Sequence, residues 1–185
     1  MPDVVVPLTI RDLTAADLPA CAWAGPPVRL AAICRALDRA AAGEVDYLAV
    51  CPPSGQPVGL GAVDYAASPD AGYLWMLAVH GALQSCGIGT LLVAAAEDRI
   101  RARGRRRAEL GVEDSNPRAR SLYERLGYAA YGRRPGAWDE EAADGSLRRY
   151  ETMLTLLGKD LPLAARTSAW PDLSRTGRKP PSEQE

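Results

Sequence analysis

The sequence predicts an α/β domain built on one mixed sheet covered by helices. Three observations lead there. Tyr73–Val79 is a continuous apolar run, of the kind that fills a strand buried on both faces. The second half of the chain alternates strand-like and helix-like segments, the pattern of a sheet with helices packed over it. The 185 residues, 47% hydrophobic and 24% charged, suit a single domain with an ordinary core.

Each element has its own signal. Leu8-Thr9-Ile10-Arg11 alternates apolar and polar, as a first strand does. Thr14, three residues before Asp17, caps a short helix that Pro26-Pro27 ends. Leu30, Ile33, Leu37 and Ala41 recur at three and four, so an amphipathic helix runs from Val28 to about Gly43. Tyr47–Val50 reads as a strand, and Pro52-Pro53-Ser54-Gly55 as a turn. Val58–Tyr65 is a third strand, weakened by Gly59 and Gly61, and Tyr73–Val79 is the fourth. Gly87-Ile88-Gly89-Thr90 opens the longest helix, with Ile88, Leu92, Ala96 and Ile100 on one face and an end near Gly104. Ala108–Val112 is a strand. Asn116-Pro117 starts a helix whose buried face is Ala119, Leu122, Tyr123 and Leu126. Tyr128–Gly132 and Tyr150–Leu157 read as two final strands joined by a long loop rich in Gly, Pro and acids. Residues 1–158 are expected to form the domain, and 159–185, where Pro, Ser and charge accumulate, a weakly ordered C-terminal extension.

Composition narrows the function. The net charge of −1 creates no global field toward nucleic acid or an anionic membrane. Cys21, Cys34, Cys51 and Cys86 lack paired spacing and there is one His, so neither a metal site nor a disulfide framework is expected. The start lacks the basic and apolar regions of a signal peptide, and no 18-residue apolar window appears, so a cytoplasmic location is expected. Arg99, Arg101, Arg103, Arg105, Arg106 and Arg107 form a basic run without interleaved aromatics, which reads as a solvated helix end offsetting the dipole. Asp139-Glu140-Glu141 and Asp144 lie in the long loop beside Trp138, where they keep the loop hydrated or draw in a cationic amine.

The most informative stretch runs from Leu77 to Thr90. A buried strand leads into a loop, and the loop into a helix with two glycines in its first turn. Amides at a helix start have no intrahelical partner, and with the dipole they favour an anion that glycines let approach closely. Gly-x-Gly alone is weak; it lacks the third glycine of a dinucleotide fingerprint and the Gly-Lys-Ser/Thr ending of a P-loop.

The wider context is specific. Gln84-x-x-Gly87-x-Gly89 resembles the Gln/Arg-x-x-Gly-x-Gly/Ala pattern of the GNAT superfamily of N-acetyltransferases. Asn116-Pro117-Arg118-Ala119, then Leu122-Tyr123-Glu124-Arg125-Leu126-Gly127-Tyr128, is similar to the same family's Asn-x-x-Ala and Leu-Tyr-x-x-x-Gly-Phe/Tyr segment. Ile10–Pro19 looks like its first strand and helix, so the resemblance spans roughly residues 8–157. It implies a mostly antiparallel sheet of six to seven strands with about four helices, splayed between strands 4 and 5, with acetyl-CoA as co-substrate in the gap and no metal. Carried over by residue, the backbones of Leu77 and Val79 bond the pantetheine arm. Gln84, Ser85, Cys86, Gly87, Ile88, Gly89 and Thr90 cradle the pyrophosphate, Asn116 contacts the pantetheine, and Tyr123 sits near the sulfur. Asn116 also suits a helix cap, and Tyr123 a core position. Arg118 and Arg120 are within reach of the cofactor's 3′-phosphate. The chain departs from the family at Cys86, where Lys or Arg is common, and at Ser85, where Gly is common. The cradle is thus expected to rely on backbone amides, with Cys86 either packed and inert or oxidisable.

The implied activity moves an acetyl group to a primary amine of a small molecule or peptide. A lysine-like amine is neutral only about one part in 2,500 at pH 7, so a base must help. The Val79 amide is the expected oxyanion donor and Tyr123 the general acid. Strand 4 carries no acid, so Glu113 and Asp64 rank equally as the base, with His80 behind them. That missing acid keeps a catalytically silent CoA-binding regulatory domain as the rival reading. No nucleic-acid or membrane partner is expected, and a homodimer is left open.

Overall fold

In the computed structural model, residues 5–142 and 144–162 are described. Seven strands, β1 (Thr9–Asp12), β2 (Val45–Cys51), β3 (Gly59–Asp64), β4 (Ala71–Val79), β5 (Arg107–Glu113), β6 (Ala129–Glu141) and β7 (Leu147–Asp160), form one sheet in the order β1-β2-β3-β4-β5-β7-β6. Every neighbouring pair is antiparallel except β4 and β5. Three α-helices, α1 (Pro27–Ala41), α2 (Ile88–Ala102) and α3 (Pro117–Arg125), and two 3-10 segments, Ala15–Ala24 and Gly81–Leu83, cover it. The mixed, mostly antiparallel sheet with flanking helices is the fold that the sequence predicts.

Alternation along the strands divides the core into two layers. Leu48, Val50, Val63, Leu74, Leu110 and Leu157 face α2, where Ile88, Leu92, Val93, Ala96 and Ile100 meet them. Val45, Tyr47, Ala49, Leu60 and Ala62 face α1, which presents Ile33 and Ala36. Gly59 and Gly61, read in the sequence as weakening β3, bring α2 close. A Cβ at Gly59 would lie 2.8 Å from Ile88, and one at Gly61 3.0 Å from Leu92. Thr14 and Asp17 form the capping box expected at the first 3-10 segment, and Arg11 clamps Asp17 with two bonds of 2.8 and 2.7 Å. That guanidinium holds the Asp17 carboxyl far below the ordinary carboxylate range.

Three expectations need correcting. The stretch between the last two strands is not a loop but a hairpin arm. Arg133–Glu141 pairs with Leu147–Thr155, Trp138 packs on Tyr150 at 5.1 Å, and Asp139 and Glu140 pair with Arg149 and Arg148. Pro135 is tolerated because β6 is an edge strand. The arginine run is more than a solvated helix end, although Arg99 and Arg101 do stand in the last turn of α2. Arg99 binds Asp12, Arg103 grips Asp46 with two bonds, and Arg107 bridges Glu109 and Asp160. Arg103 and Arg105 also stack over the Tyr65 ring at 4.1 and 4.9 Å. Finally, β7 continues through Asp160, and Leu161 is fully buried, so packing extends past residue 158. Residues 163–185, most of the expected extension, lie outside the described residues.

Candidate functional site

Strands β4 and β5 pair only from Ala71 to Leu74 against Arg107 to Leu110. Beyond that point β4 stays on β3 and β5 stays on β7, so the sheet forks. The cause is a bulge. Leu60 opposes Ala78 and Ala62 opposes Trp75, setting two residues of β4 against one of β3, and Met76 takes a positive φ of 54°. An extra residue bends its strand and strengthens the local twist, which turns β4 away from β5.

The fork opens into a cleft of about 450 Å³ on the α2–α3 face. Leu77 and Val79 of β4, the start of α2, and Asn116 and Tyr123 line it. At its far end Gly87 caps α2 in the left-handed region, φ 84°, with open space where a side chain would stand. The first intrahelical bond there is Leu91 N–H to the Gly87 carbonyl, 3.1 Å, so the amides of Ile88, Gly89 and Thr90 have no intrahelical acceptor. Such a turn attracts an anion through its donors and its dipole.

The sequence puts Arg118 within reach of the cofactor's 3′-phosphate, and the structure sets it at this turn instead. Arg118, the second residue of α3, reaches across the cleft to Gln84 Oε1 at 3.0 Å and Ser85 Oγ at 2.7 Å. Its guanidinium stands where the cradle looked short of positive charge, supplied by another helix. Only tertiary pairing of the α2 and α3 starts brings it there, so no local spacing could have signalled it. Arg120 instead pairs with Glu124 along its own helix.

Of the remaining candidates, Gln84, Ser85, Gly87, Gly89 and Thr90 line the cleft. Ile88 contributes its backbone, its side chain being buried in the core. Cys86 is exposed rather than packed, its Sγ 3.8 Å from the Gln84 carbonyl. Asn116 Oδ1 accepts from the Ala119 amide at 3.0 Å, which is the capping role, and the residue still faces the cleft. Tyr123 is 8% exposed, edge-on to Tyr128 at 5.9 Å, and burial pushes its phenol up to about 12.

The two carboxylates separate. Glu113 ends β5 on the face opposite buried Val112 and accepts from the Tyr150 hydroxyl at 3.0 Å. Asp64 does not face the cleft. It sits at the closed end of the fork, opposite Tyr73, gripped by Arg39 at 2.7 and 3.1 Å and by the Ala66 amide at 2.8 Å. Burial alone would raise its carboxyl, but these donors outweigh it and hold the group below its usual value, which weakens it as a base. His80 is also occupied, accepting from the Ala82 amide and packing edge-on to Trp23.

Residues 11–128 match the Acetyltransferase (GNAT) family. The chain belongs to that family. Over 62 residues it is 47% identical to mycothiol acetyltransferase of Beutenbergia cavernae, a match covering 32% of this chain and 21% of that protein. The chain therefore spans about a fifth of that curated relative. Its fold matches the ribosomal-protein-S18-alanine N-acetyltransferase of Escherichia coli at a TM-score of 0.60 and 20% identity, over 86% of this chain and 97% of that one. A GNAT acetyltransferase from Elizabethkingia anophelis, solved with acetyl-CoA bound, matches at 0.59 and 16% identity, over 83% and 98%. In this GNAT protein the fork, the turn at Gly87 and the buried Tyr123 all belong to one cleft, while Glu113 lies on the other face of β5.

Proposed function

We propose that this GNAT protein transfers the acetyl group of acetyl-CoA to a primary amine of a small molecule or peptide. The observation that supports this best is the forked sheet, whose cleft leads from unpaired amides at one end to the buried phenol that α3 presents to it. In this reading the α2 start and Arg118 hold the pyrophosphate, and the Leu77 and Val79 backbones run along the pantetheine. The amine nitrogen attacks the thioester carbon while the Val79 amide faces the developing oxyanion. The carbon–sulfur bond then breaks, its electron pair leaves on sulfur, and the neutral Tyr123 phenol gives that sulfur a proton. Glu113, oriented by Tyr150, takes the proton that the nitrogen loses.

The relatives' names point to different chemistry, a ribosomal-protein-S18-alanine N-acetyltransferase in one and a mycothiol acetyltransferase in the other, so neither fixes this chain's acceptor. Four free thiols suit a reducing compartment such as the cytoplasm, and among the described residues no helix is long and apolar enough to cross a membrane. Calorimetric titration with acetyl-CoA, followed by a thiol-release assay over polyamines, aminoglycosides, amino acids and peptides, tests the proposal. We expect uptake, release with at least one amine, and loss of the acidic limb of the pH–rate profile in Glu113→Gln. Uptake with no release from any amine would favour the silent CoA-binding reading instead.

A further inference from the structure

A second cavity, of about 410 Å³, opens on the α1 face of the sheet, across β4 from the cofactor cleft. Tyr73 and Trp75 of β4, Glu109 of β5, Tyr131 and Arg134 of β6, and Asp64 at the edge wall it. Its position relative to the fork is set by Tyr73. A Cβ at Gly111 would lie 2.8 Å from the Tyr73 hydroxyl, so the phenol leans over β5 one residue past Leu110, the last β5 residue paired with β4. The cavity therefore reaches the apex of the fork from the face opposite Tyr123.

Its charges are unequally satisfied. Asp64 is spent on Arg39, and Glu109 on Arg107 at 2.7 Å. Arg134 has no carboxylate partner among the described residues. It donates to the Tyr73 hydroxyl at 3.2 Å, a neutral acceptor, and its guanidinium lies 5.6 Å from that ring's centroid. A planar guanidinium without a counter-ion, facing a cavity, is built to take a carboxylate on two prongs. The aromatic walls beside it suit an apolar body, as ligand cavities of this size generally do.

We propose that the acceptor is an amino-acid-like amine whose carboxylate is bound by Arg134. Its apolar body lies against Trp75 and Tyr131, and its amino group is delivered past Tyr73 to the fork. This deepens the acetyl-transfer reading and rests on it. Tyr73 and Arg134 are positioning residues here, since they hold the acceptor and leave the proton transfers to others.

The test compares phenylalanine, phenylalaninamide and phenethylamine as acceptors in the thiol-release assay, with the full chain and with Arg134→Gln and Arg134→Lys. Calorimetric uptake of acetyl-CoA reports that each variant is folded. We expect phenylalanine to have the highest kcat/KM of the three. Arg134→Gln should lower that value by about ten- to a hundredfold through KM, the range for one charge-assisted contact, and much less for phenethylamine. Arg134→Lys should restore part of the loss. Equal kcat/KM for all three acceptors, or an unchanged preference in Arg134→Gln, overturns the proposal while leaving acetyl transfer standing. Release with none of these three, while another amine of the wider panel releases thiol, overturns this proposal alone; release with no amine of that panel overturns acetyl transfer itself.

Discussion

Tyr123 combines two roles that the sequence left as alternatives, a core side chain and a cleft side chain, because it is buried yet lines the fork. With its phenol pushed up to about 12, it stays protonated at neutral pH, the state a proton donor needs. Tyr123→Phe is expected to lower kcat by roughly 100-fold or more while leaving acetyl-CoA affinity close to that of the parent, checked by stopped-time thiol release and calorimetry. Unchanged turnover would remove Tyr123 from the chemistry. The glycines and Asn116 were legible because helix starts obey local rules. The sequence singled out Asp64 and Arg118 but not what they touch, because each is held by a partner far away in the chain. Arg39 stands 25 residues before Asp64, and Ser85 stands 33 before Arg118.

At the level of elements, strand and helix periodicity located β1–β5 and all three helices, and failed on the β6–β7 arm. Pro135 and Gly136 are ordinary loop residues by composition, and only their place on an edge strand makes them acceptable in a ladder. The end of β7 was missed for a related reason, since Lys159 looks like the start of a charged tail. It instead reaches α2, where its ammonium binds buried Glu97 at 2.8 and 2.9 Å, with Arg101 at 3.3 Å beyond. Removing one member of a buried ion pair leaves its partner uncompensated. Glu97→Ala is therefore expected to cost about 3 kcal/mol, read as a lower urea midpoint with an unchanged slope. A midpoint within error of the parent would mean that this pair does not anchor β7 to α2.

Over the whole molecule, buried phenols and thiols together set the alkaline limit. Burial raises the phenols of Tyr47, Tyr65, Tyr123 and Tyr128 above their ordinary value. Unfolded phenols ionise at about pH 10 while these do not, so the unfolded state loses protons first. Their contribution is complete below about pH 10 and is lost as pH climbs through the folded values. Burial also raises the Cys21 and Cys51 thiols, whose unfolded forms ionise at about pH 8.5. Tm should therefore begin to fall above about pH 8.5 and fall further beyond about 10, where the fall is less steep in Tyr128→Phe. Equal Tm at pH 9 and 11 would refute this. The seam between β4 and β5 has a different consequence. Four residue pairs are all the ladder that joins β1–β4 to β5–β7, and Arg118 straps the open side. The sheet is thus a pair of tongs with a short rivet, and in the proposed reading the donor lies between the jaws and touches both. Grip on the donor and stiffness of the sheet become one property, so whatever loosens the rivet weakens the hold without touching a single contact residue.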